Sequence, residues 1–182
     1  MVYDKAIEGK FVHLRAVQPE DAEFILKIRN DKEISKHLPP LDITVEQQKS
    51  WISKQRNDSD SYYFIFTNNK GESLGTISVY NINNEHAEVG RFCSFGDSVQ
   101  NMEAALLCDD FIFYTLGLSY LEIWVYKENK PVISLNQGFG CRWYGENVDD
   151  SGEPFLFGKL TKEDYEKKTL KIRKNISIVK AY

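Results

Sequence analysis

The chain has 182 residues, with 23 Lys plus Arg against 27 Asp plus Glu and a net charge of -4. That balance argues against a broad basic face for nucleic acid, and no apolar run is long enough to span a bilayer. A chain of this length fits one domain, residues 1–182, burying about two thirds of its unfolded surface, with a small molecule as the expected partner.

Met1 to Phe11 mixes charges with isolated apolar residues, unlike a targeting segment, so a cytoplasmic protein is expected. Phe11 to Ala16 alternates like a strand, and Pro19 sits where a first helical turn accepts proline. Ala22, Ile25 and Leu26 share one face of that helix. The polar break Arg29-Asn30-Asp31 then leads through a short amphipathic piece to His37-Leu38-Pro39-Pro40, a turn suited to a substrate-side loop. Thr44 and Gln47 form a capping box, which predicts a helix from Val45 to about Arg56 with Trp51 and Ile52 facing inward.

Tyr62 to Thr67, the turn Asn68 to Gly71 and Leu74 to Tyr80 read as an antiparallel hairpin, in which Tyr62, Tyr63, Phe64 and Phe66 serve core and sheet packing. Asn81 to Glu85 turns into a strand over His86 to Phe95. A polar loop follows, then an apolar helix from Met102 to Leu116 and a strand from Leu121 to Tyr126. A helix between two strands implies a parallel crossover pair, and the loop before it offers unpaired backbone N–H groups to an anion. After Lys127 to Asn129 comes a short helix closing near Gly140, then a hairpin of Trp143 to Val148 and Pro154 to Lys159. Thr161 caps a charged helix from Lys162 to about Arg173, and Ile176 to Val179 reads as a last strand or a loose tail. The fold class is therefore mixed α+β: a mostly antiparallel central sheet with a splayed parallel pair, flanked by helices. Cys93, Cys108 and Cys141 lack metal-like spacing and read as buried thiols, with no metal expected.

This element order resembles the GCN5-related N-acetyltransferase (GNAT) superfamily. Leu14-Arg15-Ala16, Glu20-Asp21-Ala22, Ile28-Arg29-Asn30-Asp31 and Ile43 to Ile52 are similar to the branch of ribosomal-protein N-terminal and nucleotide-sugar N-acetyltransferases. Ala87-Glu88-Val89-Gly90 resembles the family's fourth strand, Glu103-Ala104 the opening of its cofactor helix, and Gly140 its Gly-Phe ending with Cys141 in place of Phe. The resemblance implies acetyl-CoA as donor and direct transfer to a primary amine, with a nucleotide-linked amino sugar as first acceptor and a peptide N-terminus as second. A catalytically weakened scaffold that binds a ligand or a protein is the rival from another class. A homodimer is compatible with all three readings.

By the same resemblance, Phe92, Cys93 and Ser94 pair with the pantetheine amides. Val99, Gln100, Asn101 and Met102 receive the pyrophosphate, and Asn129 follows the strand on the other side. The family's Arg/Gln-x-x-Gly-x-Gly/Ala is replaced here by Gly96-Asp97-Ser98-Val99-Gln100-Asn101, where Val99 crowds the loop and Asp97 brings a like charge to a phosphate. Glu88 is the candidate base, directly or through water, and His86 a weaker one. Asn136 falls where many members carry a Tyr that protonates the thiolate; an amide donates a hydrogen bond but is no acid. Arg29, Asn30 and His37 fall on the acceptor side, with helix-end capping as the plain alternative for Arg29 and Asn30.

Overall fold

A computed structural model describes residues 1–180. The chain runs β1 (Ile7–Glu8), β2 (Val12–Ala16), a 3-10 turn (Pro19–Asp21), α1 (Ala22–Arg29), α2 (Val45–Gln55), β3 (Tyr62–Asn68), β4 (Ser73–Tyr80) and β5 (His86–Ser94). It continues through α3 (Ser98–Asp110), a π-helical turn (Phe111–Thr115), β6 (Tyr120–Tyr126), α4 (Lys130–Phe139), β7 (Arg142–Val148), β8 (Pro154–Thr161) and α5 (Lys162–Ile178). The eight strands form one sheet in the order β1-β2-β3-β4-β5-β6-β8-β7. All neighbours are antiparallel except β5 and β6.

Side-chain alternation along β3 sorts the helices onto the two faces. Tyr63 and Ile65 point to one face, where they bury with Ala22, Ile25 and Ile52 of α1 and α2. Phe64 and Phe66 point to the other, packing with Ala104, Cys108 and Phe111 from α3 and the turn after it, and with Phe139 and Tyr165 from α4 and α5. The central strand is thus buried on both sides, which explains its unbroken aromatic and β-branched run.

Several sequence expectations need correction. Trp51 is 37% exposed, because the α2 face that turns inward is centred on Gln48, Ile52 and Gln55. α3 begins at Ser98, four residues before the expected start, because Asp97 and Gln100 form a capping box. The 176–179 segment is no strand: α5 runs on to Ile178. The hairpin of β7 and β8 forms as expected, but β8 lies between β6 and β7, so the last strand of the chain pairs with β6 along its whole length.

Glu103 joins the N-terminal segment to α3. Its carboxylate, on a residue 6% exposed, accepts from the backbone N–H groups of Lys10 (2.9 Å), Phe11 (2.6 Å) and Val12 (2.9 Å). Three amides entering β2 share this one partner, so truncation leaves the buried Val12 amide and the part-buried Lys10 and Phe11 amides without it. Glu103→Ala is expected to destabilise the fold by about 3 kcal/mol, measured as a lower denaturant midpoint at unchanged slope.

Candidate active site

β5 and β6 pair at three positions only: His86 with Tyr120, Ala87 with Leu121, and Glu88 with Glu122. Beyond them the strands part, because each follows a different neighbour. β6 stays registered to β8 through Tyr126, whereas β5 stays with β4 and carries a bulge between its pairings with Thr76 and Ser78. Arg91 within that bulge has φ 50, a left-handed conformation uncommon for a side-chain-bearing residue and frequent at functional sites. Its carbonyl accepts from Thr76 Oγ1 at 2.7 Å and its Nη1 donates to Ser78 Oγ at 3.0 Å, while the guanidinium lies over the rings of Trp51 and Tyr80. These contacts hold the bulge and therefore the split.

The split opens into a cleft of about 470 Å³, the size of a small-molecule site. Val89 to Phe92 and Ser94 form one wall, Ile123 to Tyr126 the other, and Asn101, Ala105 and Asp109 of α3 with Leu135, Asn136 and Phe139 of α4 form the floor. The segment Glu33 to Leu38 forms part of the rim. Gly140 ends α4 with φ +107, where a Cβ would meet the Asp164 backbone at 3.0 Å, so glycine is required to turn the chain out of the floor into β7.

The structure brings together some of the predicted residues. Phe92, Ser94, Asn101, Asn129, Asn136 and His37 all line the cleft. Asn129 caps α4, and Asn136 Nδ2 donates back to Val132 O at 2.8 Å. His37 Nε2 is buried without a partner, and burial, with Lys36 beside it, holds the imidazole below its usual range, so the free base persists at neutral pH.

Others are displaced. Cys93 does not line the cleft; it is buried, with its thiol 3.3 Å from Ser35 Oγ. Glu88 does not line the cleft, and its carboxylate accepts from Asn81 Nδ2 at 2.8 Å. His86 stacks on Tyr120 with 4.8 Å between ring centroids and lies beside Glu122, a clamp at the apex of the split. Arg29 is buried and donates to Pro39 O at 2.8 Å, and Asn30 exchanges two hydrogen bonds with Leu41. Neither lines the cleft; both hold the segment that carries His37, because a helix-end Arg and Asn find loop carbonyls within reach.

Val99, Gln100, Asn101 and Met102 belong to the first turns of α3, not to a loop. The N–H groups of Val99 and Gln100, expected to be free for an anion, donate to Asp97 Oδ1 at 2.8 and 2.9 Å. Gln100 Oε1 accepts from Asp97 N and Ser94 Oγ from Gly96 N, so the protein's own side chains fill the cradle. The Asp97-x-x-Gln100 spacing was the sequence signal for this cap. Asp109, Arg91 and Tyr80 are cleft residues that sequence patterning passed over; only the tertiary split gives them a common cavity. The three cysteines are free and buried, and desolvation pushes the Cys141 thiol up to about 12, which disfavours a thiolate nucleophile.

Residues 12–142 match the family model for the acetyltransferase (GNAT) domain, and the chain belongs to that family. Among solved structures, it is similar to apo FdhC, a nucleotide-linked sugar GNAT, with 24% identity, a TM-score of 0.77, and 93% of this chain and 95% of that one covered. It is similar to a GCN5-related N-acetyltransferase from Brucella melitensis at 17% identity and TM-score 0.79, covering 96% and 86%. It is also similar to Mycobacterium smegmatis RimJ in complex with CoA-disulfide, at 21% and 0.74, covering 89% of each chain. Among curated protein sequences nothing matches. Among the described residues no helix is long and apolar enough to cross a membrane.

The capped start of α3 makes a measurable statement about anion binding. Asp97→Ala removes the carboxylate that occupies the Val99 and Gln100 amides. The variant is expected to lose about 1 kcal/mol of stability and to bind inorganic pyrophosphate more tightly than the wild type, read by calorimetry at low salt.

Proposed function

We propose that this protein transfers acetyl from acetyl-CoA to a primary amine of a small molecule, with a nucleotide-linked amino sugar as the first acceptor class. The observation that carries this reading is the split between β5 and β6. It leaves the β5 edge beyond Glu88 unpaired along a cleft of about 470 Å³, and the Glu33 to Leu38 segment with His37 lines the same cleft. The family membership supports an acyl-CoA donor, and the fold of the nucleotide-sugar enzyme supports the acceptor class.

In this mechanism the arm lies against the β5 edge, whose backbone groups pair with its amides. The amine enters past Glu33 to Leu38, and its nitrogen attacks the thioester carbonyl to give a tetrahedral intermediate. A backbone N–H near the Arg91 bulge donates to the developing oxyanion. His37 Nε2 accepts the amine proton, and it replaces Glu88 as the preferred base because it lies in the cleft wall with a free, buried nitrogen. The C–S bond then breaks. Asn136 donates a hydrogen bond to the departing sulfur after its amide swings from Val132 O, and the thiolate takes its proton from solvent. A cytoplasmic setting fits a reaction that consumes acetyl-CoA.

A second reading, a scaffold that binds ligand without turnover, is favoured by the Asp97 cap and by Asn136. Calorimetry with acetyl-CoA followed by acetyl transfer to a panel of nucleotide amino sugars, peptides and polyamines separates the two. Micromolar to millimolar binding with turnover is expected; binding with no turnover on any amine establishes the scaffold.

The base assignment has its own signature. A protonated His37 cannot accept a proton, so kcat/KM is expected to fall as pH drops through a value below the ordinary imidazole range. His37→Gln is expected to lose about a hundredfold in kcat/KM and to flatten that acidic limb, with acetyl-CoA affinity retained. An acidic limb preserved in the variant would reassign the base.

A further inference from the structure

The floor of the cleft holds a carboxyl group with no visible partner. Asp109 is 5% exposed, lines the cleft, and forms no hydrogen bond with a described residue. It closes a row of three α3 residues, Asn101, Ala105 and Asp109, spaced four apart and so on one stripe of the helix. The row extends about 12 Å along the axis. At its upper end Asn101 Nδ2 donates to Gly96 O, while Asn101 Oδ1 is buried and unpaired. Ala105 in the middle leaves room for a ligand to lie against the helix. The stripe therefore carries a buried unpaired acceptor, a small residue and an unpartnered carboxyl along the wall of the cleft.

The surroundings decide the charge of that carboxyl. Its charged and titratable neighbours are Cys108 and Asp110 on α3, Cys141 after α4, and Tyr165 and Arg173 on α5. Arg173 is the one cation among them, and its guanidinium is forked onto Asp110 at 2.9 and 2.6 Å and shared with the Tyr165 hydroxyl. Burial and the charge of Asp110 push Asp109 well above the ordinary carboxylate range. A carboxylate here would be desolvated with no donor to offset the cost, whereas the neutral acid keeps an O–H to give.

We propose that Asp109 is an uncharged carboxylic acid whose O–H donates to a carbonyl oxygen of the CoA arm laid along the Asn101, Ala105 and Asp109 stripe, with Asn101 Oδ1 receiving an amide N–H at the other end. This rests on the acyl-CoA reading above and adds a binding residue on the floor opposite the β5 edge. It carries a pH sign. The donor is present while Asp109 is protonated, so CoA affinity holds from acidic to neutral pH and falls as pH rises through the raised value of the group.

Calorimetry of CoA binding to the full chain tests it, run from mildly acidic to alkaline pH on the wild type, Asp109→Asn and Asp109→Leu, with carbon NMR of the labelled aspartate carboxyls of the free protein. The Asn variant retains an N–H donor and is expected to bind near wild-type affinity without the alkaline loss. The Leu variant is expected to bind about tenfold more weakly at every pH, while keeping or raising the thermal midpoint because it removes a buried polar group. Equal affinity of the Leu variant and the wild type, or a carboxyl already ionised at neutral pH, overturns the assignment of Asp109 alone. A wild type that binds no CoA at millimolar concentration overturns the acyl-transfer reading and this proposal together.

Discussion

Three residue pairs hold the two halves of this sheet together. β1 to β5 form one antiparallel unit and β6, β8 and β7 another, and the parallel contact of His86, Ala87 and Glu88 with Tyr120, Leu121 and Glu122 is the whole of the β5–β6 ladder that joins them. A longer ladder would close the cleft; none at all would leave β5 and β6 as bare edges. The short junction is maintained from both sides, by the bulge at Arg91 that keeps β5 on β4 and by the seven paired positions that keep β6 on β8. α3 and α4 then floor the gap, so the open strand edge faces a protein-lined cleft.

The polar side chains around the cleft divide between holding the scaffold and facing the cavity. Arg29, Asn30 and Ser35 hold the rim segment through backbone carbonyls and the Cys93 thiol, and Glu103 holds the entry to β2. His86 and Tyr120 close the apex as a stacked pair. Among the residues lining the cavity, His37 and Asn101 each carry a buried nitrogen or oxygen with no partner, Asp109 makes no hydrogen bond with a described residue, and Asn136 bonds only within its own helix. Unmet polarity in a buried wall carries a cost that a bound ligand relieves, which is the physical reason to look for function there.

The start of α3 illustrates how a local rule and a family pattern compete. A helix N-terminus favours an anion, and in this chain the anion in place is Asp97, at the N-cap. The same carboxylate that stabilises the helix occupies the amides a diphosphate would use. Any phosphate-bearing ligand must therefore displace it or bind beside it, and the affinity for such a ligand is coupled to the stability of the helix end.

Much of the architecture was legible from the residues. An alternating run placed β2, aromatic and β-branched runs placed the β3–β4 hairpin, the Thr44 and Gln47 box placed α2, and a helix between two strands predicted the parallel crossover, because each depends on interactions within a few residues or on a chirality rule that spans one unit. The site was legible only in part. His37 and Asn136 line the cleft, whereas Arg29, Asn30 and Glu88 do not, since whether an Arg or a Glu faces a cavity or a neighbouring loop depends on which partners the fold brings within about 3 Å. Insertion of β8 beside β6, the length of the β5–β6 ladder and the isolation of Asp109 have no local signature. They arise from pairings between residues far apart in the chain, where register and burial are set by the packed whole and by no single segment.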